Sequence, residues 1–113
     1  MITLWHNPKC SKSRAALALL EASGQPFEVR RYLDTPPDLA ELRALHARLG
    51  GPLTAMVRMK EPLFRDLGLG RDSDDETLLK ALAENPRLIE RPVAIRGERA
   101  VIGRPPEAIE SLL

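Results

Sequence analysis

The residues best suited to chemistry gather in one short stretch, His6-Asn7-Pro8-Lys9-Cys10-Ser11-Lys12-Ser13-Arg14. It contains the only cysteine of the chain. A thiol attacks as its thiolate, and thiolates persist where positive charge or a helix N-terminus lowers the pKa. The apolar run Ile2 to Trp5 leads into the stretch and a helical pattern from Ala15 to Ala22 leaves it. The order predicts a strand, a tight turn and a helix start, with Cys10 at the junction. A helix N-terminus presents unpaired N–H groups and the positive end of its dipole. Such a place stabilises a thiolate and also receives an oxyanion. Lys9, Lys12, Arg14 and a protonated His6 are expected to add positive charge. A lone cysteine at such a junction is commonly just core. Here Ser11, Lys12, Ser13 and Arg14 follow it, so nothing apolar flanks the sulfur on that side. The pattern points to a nucleophilic sulfur meeting an anionic substrate.

The elements that must position this stretch are legible from the rest of the chain. At 113 residues it is expected to be one domain, 1–113, long enough for a real core. Residues 2–5 read as a buried strand, and a helix runs from about Ser11 or Lys12 to Ala22, with Gly24 as a stop. Phe27 to Tyr32 reads as a second strand, which makes a parallel strand–helix–strand unit. Asp34-Thr35-Pro36-Pro37-Asp38 signals a helix start, with Thr35 as capping candidate and proline in the first turn. Leu39, Leu42, Leu45 and Leu49 line that helix, which ends at Gly50-Gly51. Short helical pieces are expected over 53–59 and 62–67. Ser73-Asp74-Asp75-Glu76 has capping-box spacing ahead of Leu78, Leu79 and Leu82, and Asn85-Pro86 closes that helix. Residues 36–85 thus form a helical insert. Pro92 to Ile95 and Ala100 to Ile102 flank Arg96-Gly97-Glu98-Arg99 as a hairpin, and a last helix follows Gly103-Arg104-Pro105-Pro106. The order βαβ, helices, ββα predicts an α/β fold, a mixed four-stranded sheet of the thioredoxin kind.

Composition narrows the function classes. The net charge is +1 and the charges are interspersed, which leaves no footprint of a nucleic-acid or membrane binder. No apolar stretch approaches a membrane span and no signal peptide precedes the first strand, so a cytoplasmic location is expected. One cysteine makes neither a disulfide framework nor a cysteine-based metal site. If Cys10 does redox work, the resolving thiol comes from another molecule, with glutathione or a small dithiol protein as the partner class.

The Cys10 stretch resembles the active-site loop of the glutaredoxin-dependent arsenate reductases. The likeness continues through Tyr32-Leu33-Asp34-Thr35-Pro36, Arg58, Glu90-Arg91-Pro92-Val93 and Ile102-Gly103-Arg104-Pro105-Pro106-Glu107, in the family's order and spacing. The resemblance implies a thioredoxin-like fold with a helical insertion, and reduction of arsenate to arsenite with glutathione and glutaredoxin as electron donors. It implies Cys10 as the nucleophile and His6 as the histidine that helps lower its pKa. Arg58, Arg91 and Arg104 match the arginines that hold arsenate and the arsenylated cysteine. Ser13 falls where the family contacts the thiolate, and Pro92 where thioredoxin-like proteins place a cis proline. No metal, no bound cofactor, no nucleic acid and no membrane is expected as a partner.

The chemistry is consistent with these residue types. Arsenate and a thiolate repel, and arginines aimed at the oxygens offset that repulsion with a planar fork that never loses its charge. Arginines are otherwise mostly solvated surface residues, so it is the joint occurrence with Cys10 that singles these out. Two other classes share features of the chain. Cys10-Ser11-Lys12-Ser13 has the spacing of a monothiol glutaredoxin site, yet thiol exchange needs no arginine set. Spx-like regulators that bind RNA polymerase resemble this family distantly, and many carry a second cysteine where Ser13 stands. A Cys-x5-Arg phosphatase loop is excluded because Ala16 occupies the arginine position. His46, between leucines of a helix, has no assigned role.

Overall fold

Three of the four strands are short apolar runs around the segment that carries Cys10. In the computed structural model, which describes residues 1–113, β1 (Ile2–Trp5), α1 (Ser11–Ser23) and β2 (Phe27–Arg30) make the first unit, with β1 and β2 parallel. After the helical segment the chain returns as β3 (Val93–Arg96) and β4 (Arg99–Ile102), joined by a hairpin with Gly97 at φ 59°. β3 runs antiparallel to β1, pairing Leu4 with Ala94, and the sheet order is β2-β1-β3-β4. The sheet is therefore mixed, four-stranded and thioredoxin-like.

One face of this sheet is closed by α1 and by a terminal 3-10 helix, Pro106–Leu112. Ile2, Leu4, Ala94, Ala16, Leu20, Ile109 and Leu112 make the core between them. Truncating one of its leucines to alanine would cost about 2–5 kcal/mol. Arg96 fastens the chain end, donating from Nη1 to the Leu112 carbonyl at 2.6 Å and to Gln25 Oε1 at 3.1 Å. The last helix is thus 3-10 rather than α, with Ile109 and Leu112 inward as their spacing requires.

Residues 1–35 with 91–113 form one compact unit, and residues 36–90 a second. The second is helical: α2 (Leu39–Leu49), a 3-10 turn (Leu53–Met56), α3 (Pro62–Asp66), α4 (Asp75–Glu84) and a 3-10 turn (Pro86–Leu88). Leu42 and Leu45 of α2 and Leu78, Leu79 and Leu82 of α4 are buried. An isolated bridge between Val57 and Ile89 ties its middle to its end. No helix in the chain is long and apolar enough to cross a membrane.

The structure departs from the sequence expectations at the edges of elements. β2 ends at Arg30 and not at Tyr32, because the chain then turns through Asp34 and Thr35 amide bonds to the Arg31 carbonyl. Tyr32 is buried in that turn, and in the edge strand β2 Phe27 packs against the core while Val29 is 42% exposed. The cap of α2 is Asp38, not Thr35. Asp38 Oδ1 accepts from the Glu41 amide at 2.8 Å, and Glu41 Oε1 accepts from the Asp38 amide at 3.2 Å, a complete capping box. Pro36 and Pro37 therefore precede the helix. Likewise α4 is capped by Asp74, which accepts from Thr77, while Ser73 Oγ takes the Gly70 amide.

These cap assignments make a direct prediction. Asp38→Ala should lower stability by about 1 kcal/mol in urea unfolding, because the Glu41 amide loses its acceptor. Thr35→Ala, which removes only a long bond to the Arg31 carbonyl, should stay within about 0.5 kcal/mol of wild type. The reverse ranking would show that Thr35 is the true cap.

Candidate active site

Cys10 occupies the N-cap position of α1, with φ −98° and ψ 123°, and its side chain caps no amide. Its own amide donates to the Asn7 carbonyl at 3.0 Å, and the Arg14 amide donates to the Cys10 carbonyl at 2.9 Å. The loop before it is closed by the Lys9 amide on Asn7 Oδ1 at 3.0 Å. Arg14 Nη1 reaches back to the Pro8 carbonyl at 2.9 Å. The result holds the sulfur over the first turn of the helix, 9% exposed. α1 has no acidic residue in its first turn, so nothing on the helix competes with the sulfur for the amides.

The thiol is tuned by that position. Burial pushes the Cys10 pKa up, but the backbone N–H of Ser13, the charge of Arg91, the N–H of Lys12 and a hydrogen bond from Arg91 together outweigh it. The net shift is downward from the ordinary thiol value, toward the thiolate. Arg91 precedes Pro92 across a cis peptide bond, and Arg104 precedes Pro105 across another. Arg104 Nη1 donates to the Arg91 carbonyl at 3.0 Å, which links the two arginines of this unit. Between them Gly103 passes so close to Pro92 that a Cβ would lie 2.7 Å from its Cγ, and its amide donates to the Pro92 carbonyl at 2.8 Å. Only glycine fits that crossing without displacing the proline.

Ser13 acts on the sulfur through its amide, whereas its hydroxyl is spent elsewhere. Ser13 Oγ is fully buried, lies 2.6 Å from His6 Nδ1 and accepts from the Asn7 amide at 3.0 Å. The hydroxyl thus ties the end of β1 to the first turn of α1. His6 is held further by its amide, which donates to the Arg30 carbonyl at 2.8 Å. Burial, then the charges of Arg31 and Arg14, hold His6 below the ordinary imidazole value of 6.5. The expectation of a protonated His6 adding charge is therefore corrected: the ring is buried among cations and stays neutral near pH 7. Cys10, His6, Ser13, Arg91 and Arg104 all lie in the sheet unit. Arg58 lies in the helical unit, where Nη2 pairs with Glu61 at 3.2 Å and Nη1 donates to the Arg87 carbonyl at 3.2 Å. Glu61 also takes Arg87 Nε at 3.0 Å. No group of three or more His, Cys, Asp or Glu side chains is arranged as a metal site.

Sequence reasoning did not find the roles of Asn7 and Gly103. The signals were present as an Asn-Pro turn and a Gly-Arg-Pro crossing, but what each residue meets is decided by long-range packing.

Known proteins are similar to this chain in sequence and in fold. A profile described as the ArsC family matches residues 5–112. The arsenate reductase of Neisseria meningitidis serogroup A is 48% identical over 114 residues, covering 99% of this chain and 97% of that protein. The uncharacterized protein YfgD of Escherichia coli K12 is 44% identical, over 96% and 92% of the two chains. The solved arsenate reductase from Vibrio cholerae superimposes with a TM-score of 0.94 at 44% identity, over 99% of this chain and 97% of that one.

Two measurements test the site. Arg91→Ala should move the midpoint of Cys10 alkylation by iodoacetamide upward, toward the ordinary thiol value; an unmoved midpoint would remove Arg91 from the thiol's environment. His6 is depressed in the fold, so its contribution to stability is full above about 6.5 and is lost as pH falls through the folded value. Unfolding free energy should therefore decline as pH falls below about 6.5, and His6→Gln should flatten that decline. A wild-type profile that rises toward acid would contradict the neutral ring.

Proposed function

This chain belongs to the ArsC family, and on that premise we propose that it reduces arsenate to arsenite with Cys10 as nucleophile. Glutathione and glutaredoxin are the proposed electron donors. The observation that carries the reading is the Cys10 thiol at the N-cap of α1, drawn toward its thiolate by two backbone amides and Arg91 against the effect of burial.

The barrier to the first step is electrostatic. Two unit like charges about 4 Å apart repel by about 4 kcal/mol at an effective dielectric of about 20, and arsenate brings more than one. In the proposed scheme Arg58, Arg91 and Arg104 are the oxyanion ligands that offset this, as fixed forks that stay charged. Ser13 holds an amide on the sulfur, and neutral His6 holds Ser13. The sulfur of Cys10 then bonds to arsenic as an arsenic–oxygen bond breaks, and the oxygen leaves as water after taking up protons. Glutathione displaces a second hydroxyl as water. A glutaredoxin thiolate next attacks the glutathione sulfur, making a mixed disulfide and leaving the electron pair on arsenic. Arsenic is reduced from the pentavalent to the trivalent state while two thiols become one disulfide. Water then replaces the Cys10 sulfur, releasing arsenite and the free thiol. The scheme draws on no metal or organic cofactor.

The test follows NADPH oxidation with arsenate, glutathione, glutaredoxin and glutathione reductase. Turnover should require arsenate and glutaredoxin and vanish in Cys10→Ser. Alanine at Arg58, Arg91 or Arg104 should lower kcat/KM for arsenate by about tenfold to a hundredfold. A folded wild-type chain that fails to turn over with several glutaredoxins would sink the assignment.

A further inference from the structure

Beside the Cys10 loop, an open cleft of about 220 Å³ lies between the segment His6 to Lys9 and the turn after β2, where Arg31, Leu33 and Asp34 line it. Its charged lining is two cations and one anion: Lys9, Arg31 and Asp34. Pro8 and Leu33 are its apolar part, and Leu33 is 41% exposed, a large apolar side chain left facing water. Arg31 and Asp34 pair at 3.3 Å, but their side chains are 61% and 66% exposed. A pair so exposed contributes little to the fold, so a ligand carrying both charges can exchange with it at little loss. The chain has one cysteine, and in the proposed reaction it is bonded to arsenic, so the second thiol comes from another molecule. Glutathione carries two carboxylates and one ammonium, the inverse of this lining.

We infer that the cleft between His6–Lys9 and Arg31–Asp34 is the binding site of the co-substrate thiol, glutathione. Lys9 and Arg31 receive its carboxylates, Asp34 receives its ammonium, and Pro8 with Leu33 covers its apolar middle. Lys9 adjoins Cys10 in the chain, so a tripeptide anchored there keeps its sulfur beside the nucleophile's loop. The inference rests on the proposed function, because it supplies the place for that reaction's second reactant. Matching charges across a site chiefly set specificity and orientation, so the cleft would select an anionic tripeptide thiol over neutral thiols.

The experiment titrates the intact chain with S-methylglutathione, which keeps all three charges and cannot react. Amide resonances of Asn7, Lys9, Arg31, Leu33 and Asp34 should shift together, and Lys9→Gln and Arg31→Gln should each weaken binding about fivefold. Shifts absent from these residues, or confined to the neighbourhood of Pro92, would overturn the assignment. In the coupled assay the same variants should raise KM for glutathione about fivefold while KM for arsenate is unchanged. An enzyme active on arsenate whose KM for glutathione ignores both substitutions overturns the cleft and leaves the reductase standing. Cleft shifts in a chain inactive toward arsenate would support the thiol site and overturn only the arsenate reading.

Discussion

The buried hydroxyl of Ser13 is the contact on which the site depends. It meets His6 Nδ1 at 2.6 Å and the Asn7 amide at 3.0 Å, so it welds the end of β1 to the first turn of α1. With that junction fixed, the Ser13 and Lys12 amides have a defined direction, and the sulfur of Cys10 lies where they point. Removing the hydroxyl would leave the part-buried Asn7 amide and the buried His6 ring nitrogen without their partner, and the buried nitrogen alone would cost about 1–3 kcal/mol. The strength of the arrangement is geometric: a neutral contact between two elements positions a charged event at a third residue.

Positive charge is allotted with the same economy. Arg91 acts on the sulfur itself, and Arg104 is tethered to the Arg91 carbonyl. Gly103 makes that tether possible by passing against Pro92 where no side chain would fit. Lys9, Lys12 and Arg14 remain exposed around the loop. Around His6 the sense is opposite: burial first, then the charges of Arg31 and Arg14, disfavour the charged ring. In the helical unit, Arg58 pairs with Glu61, which Arg87 holds in turn.

Much of this was legible in the sequence because the decisive signals are local. The strand–turn–helix around Cys10, the leucine spacing of α2 and α4, the hairpin at Gly97 and the inward Ile109 and Leu112 follow from periodicity and turn chemistry alone. What was not legible depends on competition between neighbours or on distant packing. Thr35 and Asp38 both qualify as caps, and the carboxylate with glutamate three residues on prevails. At α4 spacing misleads instead: Ser73 has Glu76 three residues on, yet Asp74 caps the helix by accepting from the Thr77 amide, while Ser73 Oγ takes the Gly70 amide. Phe27 to Tyr32 reads as one strand, but β2 is a short edge strand in which Phe27 packs on the core and Val29 is exposed. The charge of His6 depends first on its burial and then on Arg31, both set by packing between segments remote in sequence. The lining formed by Lys9, Arg31 and Asp34 exists only once β1 and β2 are paired.

Cys10 stands where a helix would ordinarily carry aspartate, asparagine or serine. Its thiol gives no capping bond, and the turn that follows contains no acid to balance the dipole. The first turn of α1 is therefore held below the stability its position allows, and the amides left over are what the sulfur uses. On the proposed chemistry, selection for thermal robustness alone would push residue 10 toward Asp or Ser, yielding a sturdier protein without its nucleophile. Activity and stability pull on one side chain in opposite directions, so ancestral or consensus-guided hardening of this fold has to hold that position fixed and seek its gains elsewhere.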